Sequence, residues 1–327
     1  MKAIVIHEDG GPEVLRYEDV PDPEPGEGEV LVRMRAASLN HLDVWTRRGL
    51  PSVPKPRILG ADGAGVVEAL GSGVQGFEPG QPVVINPGIE HNGTIHVIGE
   101  HTQGVHAELA AIPATNVYPL RDGISFEDAA AFPLVFETAY RMLVTRAGLR
   151  GGEWVLIWGV GGGVATAALR IAQALGAHTV VTSSSDEKLA KAAALGADVT
   201  VNHGTGDVVA TVKEATGGGA HVVIETVGDA TWKRSLDAAR QGGRIVVCGA
   251  TSGPNPPAAL HRIWWKQLDI LGSSMGTRAD FEGAYDLVAA GATPVIDSVV
   301  PLAEARAAHE RLEAGEQFGK IVLAIPG

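Results

Sequence analysis

Residues 159–165 read Gly-Val-Gly-Gly-Gly-Val-Ala and follow the apolar run Trp-Val-Leu-Ile-Trp at 154–158. Glycines let a backbone pass within contact distance of a bulky anion. The first N–H groups of a helix that follows lack intrahelical partners and can donate to that anion. Val164, Ala168, Ile171 and Leu175 then share one helical face. Strand, glycine turn and helix, in that order, is the setting that binds the pyrophosphate of a dinucleotide. The spacing departs from G-x-G-x-x-G, because the last glycine falls on Val164. Gly159, Gly162 and Ala165 satisfy G-x-x-G-x-x-A instead, with Gly163 and Val164 at the helix start. A purely structural turn is the plainer alternative, and the flanking elements favour the dinucleotide.

The next apolar run, 178–182, ends in Ser183-Ser184-Ser185-Asp186-Glu187-Lys188. A carboxylate at such a strand tip binds a ribose 2′-hydroxyl and repels a 2′-phosphate. Here the tip is Ser183, with Ser184 beside it, Lys188 one helical turn on and His203 after the third strand. Neutral donors with a cation suit a phosphate dianion, so the expected cofactor is NADPH. Ser185 as a helix cap and Lys188 as a solvated helix residue is the competing account. A second cluster, His91, His96, His101 and His106, recurs every five residues beside Glu90 and Glu100. Imidazoles are common zinc ligands. Spacing of five fits neither a helical face nor a strand face, so no single regular element is expected to converge them, and a His-rich loop is the expectation.

These residues need a scaffold, and the rest of the chain supplies its outline. From residue 1 to about 121, short β-rich runs (3–6, 29–35, 63–70, 82–85, 106–112) are separated by Pro and Gly turns, as in a compact barrel-like unit. Ser125 followed by Phe126, Glu127 and Asp128 reads as an N-cap opening an Ala-rich helix. From 154 onward, apolar runs at 154–158, 178–182, 199–202, 221–225, 244–248 and 268–271 alternate with helices, and Gly176 and Gly196 stand where helices end. Continuous hydrophobicity marks strands buried on both faces, hence a doubly wound parallel sheet of Rossmann type. The fold class is α/β, with expected domains at 1–123, 124–275 and a return at 276–327. The 327 residues carry 26 Lys and Arg against 38 Asp and Glu, a net charge of −12, which disfavours nucleic acid and anionic membranes as partners. The single cysteine, Cys248, excludes an internal disulfide and any Cys-rich zinc site. No apolar stretch reaches membrane-spanning length, so a cytoplasmic protein with a small-molecule substrate is expected.

Five ordered motifs resemble the medium-chain dehydrogenase/reductase superfamily along essentially the whole chain. They are Pro56-Arg-Ile-Leu-Gly-Ala-Asp-Gly-Ala-Gly-Val-Val67 (continued by Gly71, Gly73 and Val74), Thr138-Ala-Tyr140, the glycine turn, Gly242-Gly-Arg-Ile-Val-Val-Cys-Gly249 and Phe318-Gly-Lys-Ile-Val-Leu323. The resemblance implies a GroES-like β-rich catalytic domain beside the Rossmann unit. It also implies a homodimer formed through the edge strand near 268–271, with Trp264 and Trp265 just before it. The family's catalytic zinc is held by Cys, His and a further Cys or acidic residue; those positions carry Asn40, Ala61 and a residue near Leu134. Its structural zinc lobe corresponds to the cysteine-free stretch 86–99. The chain is therefore similar to the zinc-free quinone oxidoreductase branch, although Gly99-Glu-His101 and Met275-Gly-Thr-Arg278 also resemble alcohol dehydrogenases.

Without a Lewis acid, soft acceptors such as quinones and α,β-unsaturated carbonyls are favoured, because conjugation spreads the developing charge. Alcohol dehydrogenase or enoyl-thioester reductase activity, and a non-enzymatic NADPH-binding role, are the alternatives. Near the lost metal position, the Asn40 amide either donates to a substrate oxygen or caps its own loop. His41 either shuttles protons or packs; Trp45 either walls an aromatic acceptor or joins the core. Asp43 and Asp62 are expected as hydrogen-bond acceptors, since a carboxylate opposes a forming oxyanion. For the cofactor, the resemblance implies Thr138, Cys248, Gly249, Ala250, Gly272, Ser273, Gly319 and Lys320. Cys248 is expected to pack and not to attack.

Overall fold

The computed structural model describes residues 1–51 and 53–326. In chain order the first stretch holds β1 (Lys2–Ile6), β2 (Arg16–Asp19), β3 (Glu29–Ser38), α1 (His41–Gly49), β4 (Arg57–Ile58), β5 (Asp62–Leu70), β6 (Pro82–Ile85), β7 (Gly88–His91), β8 (Thr94–Val97), β9 (Leu109–Pro113), β10 (Val117–Pro119) and α2 (Phe126–Ala131). Next come α3 (Pro133–Tyr140), β11 (Trp154–Ile157), α4 (Gly163–Ala174), β12 (His178–Ser183), α5 (Asp186–Ala194), β13 (Val199–Asn202), α6 (Val208–Thr216) and β14 (Ala220–Glu225). The chain continues with α7 (Trp232–Ala238), β15 (Ala239–Val247), α8 (Leu260–Lys266), β16 (Asp269–Gly272) and α9 (Arg278–Ala289). It closes with β17 (Ile296–Pro301), α10 (Ala305–Glu313) and β18 (Lys320–Ala324).

Two compact units result, Met1–Leu134 with Thr293–Gly327, and Val135–Ala292. These divisions differ from the expected ones at 124 and 276, for reasons visible in the bonding. Helix α2 is tied to β3 by the Ser38 hydroxyl, which donates to the Ala130 carbonyl at 2.7 Å, and so belongs to the first unit. Helix α9 is held in the second unit by Asp280, which pairs with Arg141 at 2.8 Å. Ser125 caps α2 as expected, its hydroxyl accepting the Asp128 N–H at 3.0 Å.

The main sheet of the first unit runs β10-β6-β5-β3-β18-β17, with β9 also paired to β3. Its apolar side chains, among them Val30, Val32, Met34, Val67, Ile85, Ile321 and Leu323, form one buried cluster. Each such side chain stabilises the fold by roughly 1.5–3 kcal/mol. Register then decides what meets at the strand ends. Ser38, at the end of β3, lies opposite Asp62 on β5 and opposite Val322 on β18. Three segments distant in sequence thus deliver Ser38, Asp62 and Lys320 to one place.

The second unit is a six-stranded, wholly parallel sheet in the order β13-β12-β11-β14-β15-β16. Its inner strands β11, β12, β14 and β15 are largely buried, as unbroken apolar runs require, whereas the edge strands β13 and β16 are more exposed. Gly176 and Gly196 follow α4 and α5 with φ of 70° and 91°, the left-handed conformation that ends a helix. Among the described residues, no helix is long and apolar enough to cross a membrane.

Candidate active site

The confluence in the first unit is a closed knot of polar side chains. Asp62 is wholly buried and Lys320 is 3% exposed; the ammonium lies 3.1 Å from Asp62 Oδ2. The same Nζ donates to Asn40 Oδ1 at 2.6 Å, and Asn40 Nδ2 donates to Asp62 Oδ2 at 2.9 Å. The Leu134 N–H supplies a further donor to Asp62 Oδ1 at 2.8 Å. Asn40 is held in turn by the start of α1, where the Asp43 carboxylate accepts its N–H at 2.7 Å and that of Gly60 at 3.0 Å. Burial pushes the Asp43 carboxyl above its ordinary pKa, partly offset by His106 and the Asn40 N–H. His106, also buried, lies with Nε2 3.3 Å from the Ser38 carbonyl, and burial lowers its pKa.

Asn40 and Asp62, both expected at this position, therefore meet, and Asp62 is the hydrogen-bond acceptor foreseen. His41 and Trp45 occupy the exposed side of α1, their ring centroids 6.3 Å apart. Desolvation first, and the Lys320 ammonium second, lower the His41 pKa, with Glu313 acting the other way. Lys320, expected among the cofactor contacts, has its ammonium committed to Asn40 and Asp62. Gly319, expected there too, has a φ of 103°, and a Cβ would come within 2.2 Å of the Val295 carbonyl. Close backbone approach accounts for that glycine.

The histidine series brings a correction. Hairpin β7–β8 and the turn after it stack His91 on His96 and His96 on His101, with centroids 4.6 and 4.4 Å apart and planes 28° and 10° from parallel. Chain reversal converges residues that spacing along one element would keep apart. Nearly parallel rings hold their lone pairs in parallel planes, which suits stacking and not a shared ion. His106 stands apart against Ser38. Among the described residues, no group of three or more His, Cys, Asp or Glu is placed to hold a metal.

In the second unit the remaining expected residues gather at one edge. Gly159, Gly162, Ser183, Ser184, His203, Cys248, Gly249, Ala250, Gly272 and Ser273 stand at or just beyond the carboxyl ends of β11, β12, β13, β15 and β16. That edge is where open parallel sheets bind ligands. The 12-residue α4 starts from Gly162 with no side-chain cap, leaving its first N–H groups, from Gly163 and Val164 on, available. A Cβ placed on Gly159 or Gly162 would meet nothing within 4 Å. Open space beside uncapped amides fits a dinucleotide pyrophosphate. Gly159 also needs its φ of 66°, and its N–H is anchored by Thr182 Oγ1 at 3.2 Å. Ser185 caps α5 through the Lys188 N–H at 3.3 Å, as the plainer account of that segment had it. Thr138 is buried in α3. Burial, with Glu225 contributing, pushes the Cys248 thiol up to about 12, so it is no nucleophile at neutral pH.

Sequence reasoning missed Glu225. Its wholly buried carboxylate accepts from Val227 N (2.9 Å), Gly228 N (3.0 Å), Thr231 Oγ1 (2.7 Å) and Ser235 Oγ, fixing the loop after β14. An acid ending an apolar strand, with Thr and Ser following, was the available signal.

Two family models match, an alcohol dehydrogenase GroES-like domain over residues 26–122 and a zinc-binding dehydrogenase over 163–290. A quinone oxidoreductase of Pseudomonas aeruginosa is 36% identical over 326 residues, covering 96% of each chain. An acryloyl-coenzyme A reductase of Metallosphaera sedula is 33% identical, covering 99% of each. A crystal structure described as an NAD-dependent alcohol dehydrogenase superposes with a TM-score of 0.95 at 42% identity, covering all of both chains. The chain belongs to the medium-chain dehydrogenase/reductase superfamily. As a member of it, the protein is an oxidoreductase with a GroES-like unit and a Rossmann unit. The superfamily's catalytic zinc does not fit the donors present: Asn40, Ala61 and Leu134 offer neither thiolate nor imidazole.

Proposed function

We propose that this protein is an NADPH-dependent reductase of quinones or activated α,β-unsaturated carbonyls that works without zinc. The observation that carries the reading is the Lys320 ammonium, 2.6 Å from Asn40 Oδ1 and 3.1 Å from Asp62. A charged donor on the amide oxygen polarises the Asn40 amide and strengthens its remaining Nδ2–H as a donor. That N–H meets the acceptor's oxygen as negative charge develops there. Asp62 neutralises Lys320 and holds it in place, so the positive charge is fixed and screened from solvent. Gly162, Gly163 and Val164 hold the pyrophosphate, while Ser183, Ser184, Lys188 and His203 face the adenosine phosphate. The bound cofactor supplies the hydride from C4 of its nicotinamide. One NADPH and one proton thus saturate an enone, and a quinone takes the same hydride with one proton to give the hydroquinone.

The partner is a second copy of the chain, met at β16, one of the two edges of the parallel sheet. Beside that edge, α8 exposes Trp264 at 64% and Trp265 at 72%, large apolar surface that association would cover. Light scattering is expected to return twice the chain mass, and a monomer at micromolar concentration refutes the dimer.

The test of function is an NADPH-oxidation screen on EDTA-treated protein over quinones, enones, aldehydes and alcohols. Turnover with the first two, unchanged by chelation, is expected, with NADPH bound about tenfold tighter than NADH, ~1.4 kcal/mol. Activity that appears only on adding zinc sinks the metal-free reading. Equal or inverted cofactor affinities sink the NADPH reading. The 42% identity to an NAD-dependent alcohol dehydrogenase favours a second reading, in which NADH and simple alcohols or aldehydes are the reactants that turn over.

A further inference from the structure

The strand tips that face the adenosine phosphate hold one more cation, not anticipated from sequence. Arg234, on α7, lays its guanidinium over the indole of Trp158, 4.9 Å from the ring centroid. Its Nη2 donates to the Ala230 carbonyl at 3.0 Å; among the described residues the rest of the fork has no protein acceptor. Trp158 leaves the end of β11 almost fully buried and is itself pinned, its Nε1–H donating to Ser235 Oγ at 2.8 Å, which in turn donates to Glu225. The His203 ring lies 6.4 Å from Trp158, tilted by 55°. His203 is anchored to the tip of β12, its N–H to the Ser183 carbonyl at 3.0 Å and its Nδ1 3.2 Å from Thr182 Oγ1. Through Trp158 and His203, Arg234 is thus linked to the tip of β12. Asp186, the nearby carboxylate of α5, is turned to Asn202 Nδ2 at 2.7 Å.

A 2′-phosphate needs a charge that is present at every physiological pH and held in one orientation. Serines carry none, burial and then the Arg234 charge lower the His203 pKa, and Lys188 offers a point charge on a flexible four-carbon stem, not a planar fork. Arginine stays protonated, and stacking on a fixed indole removes much of its rotamer freedom before a ligand arrives. Its unused donors form the fork that suits a phosphate.

We propose that Arg234, seated on Trp158, is the specificity-determining cation for the adenosine 2′-phosphate. The inference rests on the NADPH reading, and the experiment separates the two. Calorimetric titrations with 2′,5′-ADP and 5′-AMP measure the phosphate's contribution without turnover. The wild-type protein is expected to bind 2′,5′-ADP at least about tenfold tighter; equal binding overturns the NADPH reading and Arg234's role with it. Arg234→Gln is expected to weaken 2′,5′-ADP by about tenfold to a hundredfold and to leave 5′-AMP within about twofold. If the wild-type preference survives in Arg234→Gln, or both ligands weaken equally, the assignment of Arg234 fails while the NADPH reading stands. Should that variant not fold, Arg234→Lys keeps the charge but not the fork. A severalfold fall in the 2′,5′-ADP to 5′-AMP ratio is then expected, and an unchanged ratio refutes the proposal.

Discussion

The knot at Asn40, Asp62 and Lys320 and the strand tips around Gly162 are both rich in polar groups, yet they are built on opposite terms. In the knot the protein satisfies its own groups: Asp62 alone accepts from Asn40, Lys320 and the Leu134 backbone. At the strand tips the protein leaves donors open, with α4 uncapped and empty space where side chains of Gly159 and Gly162 would be. A saturated network fixes its side chains in one arrangement, here the Asn40 amide. An open one waits for a ligand to complete it. Damage should therefore appear as lost stability in the first case and as lost affinity in the second.

Lys320→Met should produce the largest effect. It leaves the Asp62 carboxylate buried without its cation, which costs about 3–5 kcal/mol, and thermal or denaturant unfolding should register it together with lost turnover. A melting temperature within about 2 °C of wild type, well short of that energy, would show that the knot is not structural. Gly162→Val should do the reverse. Its φ of −77° suits any residue, so the fold persists, while branched carbons fill the space beside the amides. NADPH affinity should fall by at least about tenfold, or ~1.4 kcal/mol, and unchanged binding in a fluorescence titration removes the pyrophosphate from that turn. The third test concerns pH. His309, on α10, is wholly buried, and burial, then His106 and Arg47, hold its pKa well below 6.5. Its folded pKa is depressed, so the unfolded chain takes up the proton first. Stability is lost as pH falls through 6.5 and further toward the folded value, at up to about 1.4 kcal/mol per pH unit for this group. His309→Leu should flatten that part of the stability profile, and an unaltered slope between pH 6.5 and 5 rules it out.

The open site was legible because it is local. Its glycines, strand and helix follow one another within a short stretch, and the runs at 82–85 and 199–202 coincide with β6 and β13. The closed site was only half legible, since Asn40 and Lys320 stand 280 positions apart and meet through the register of β3, β5 and β18. No spacing rule contains that register. The histidine stack escaped for the same reason on a smaller scale, because a hairpin joins what linear periodicity separates. Arg234 went unnoticed because its place depends on the orientation of Trp158, which the sequence does not display.

Strand β18 lies between β3 and β17, yet it is translated after the whole parallel sheet. Synthesis from the amino end therefore presents β3 with a vacant flank, and Asp62 with no counter-ion, while well over half the polypeptide is still emerging. The first unit acquires the Lys320 cation only when β18 pairs with β3. Until then the Asp62 carboxylate lacks the charge that neutralises it in the finished fold.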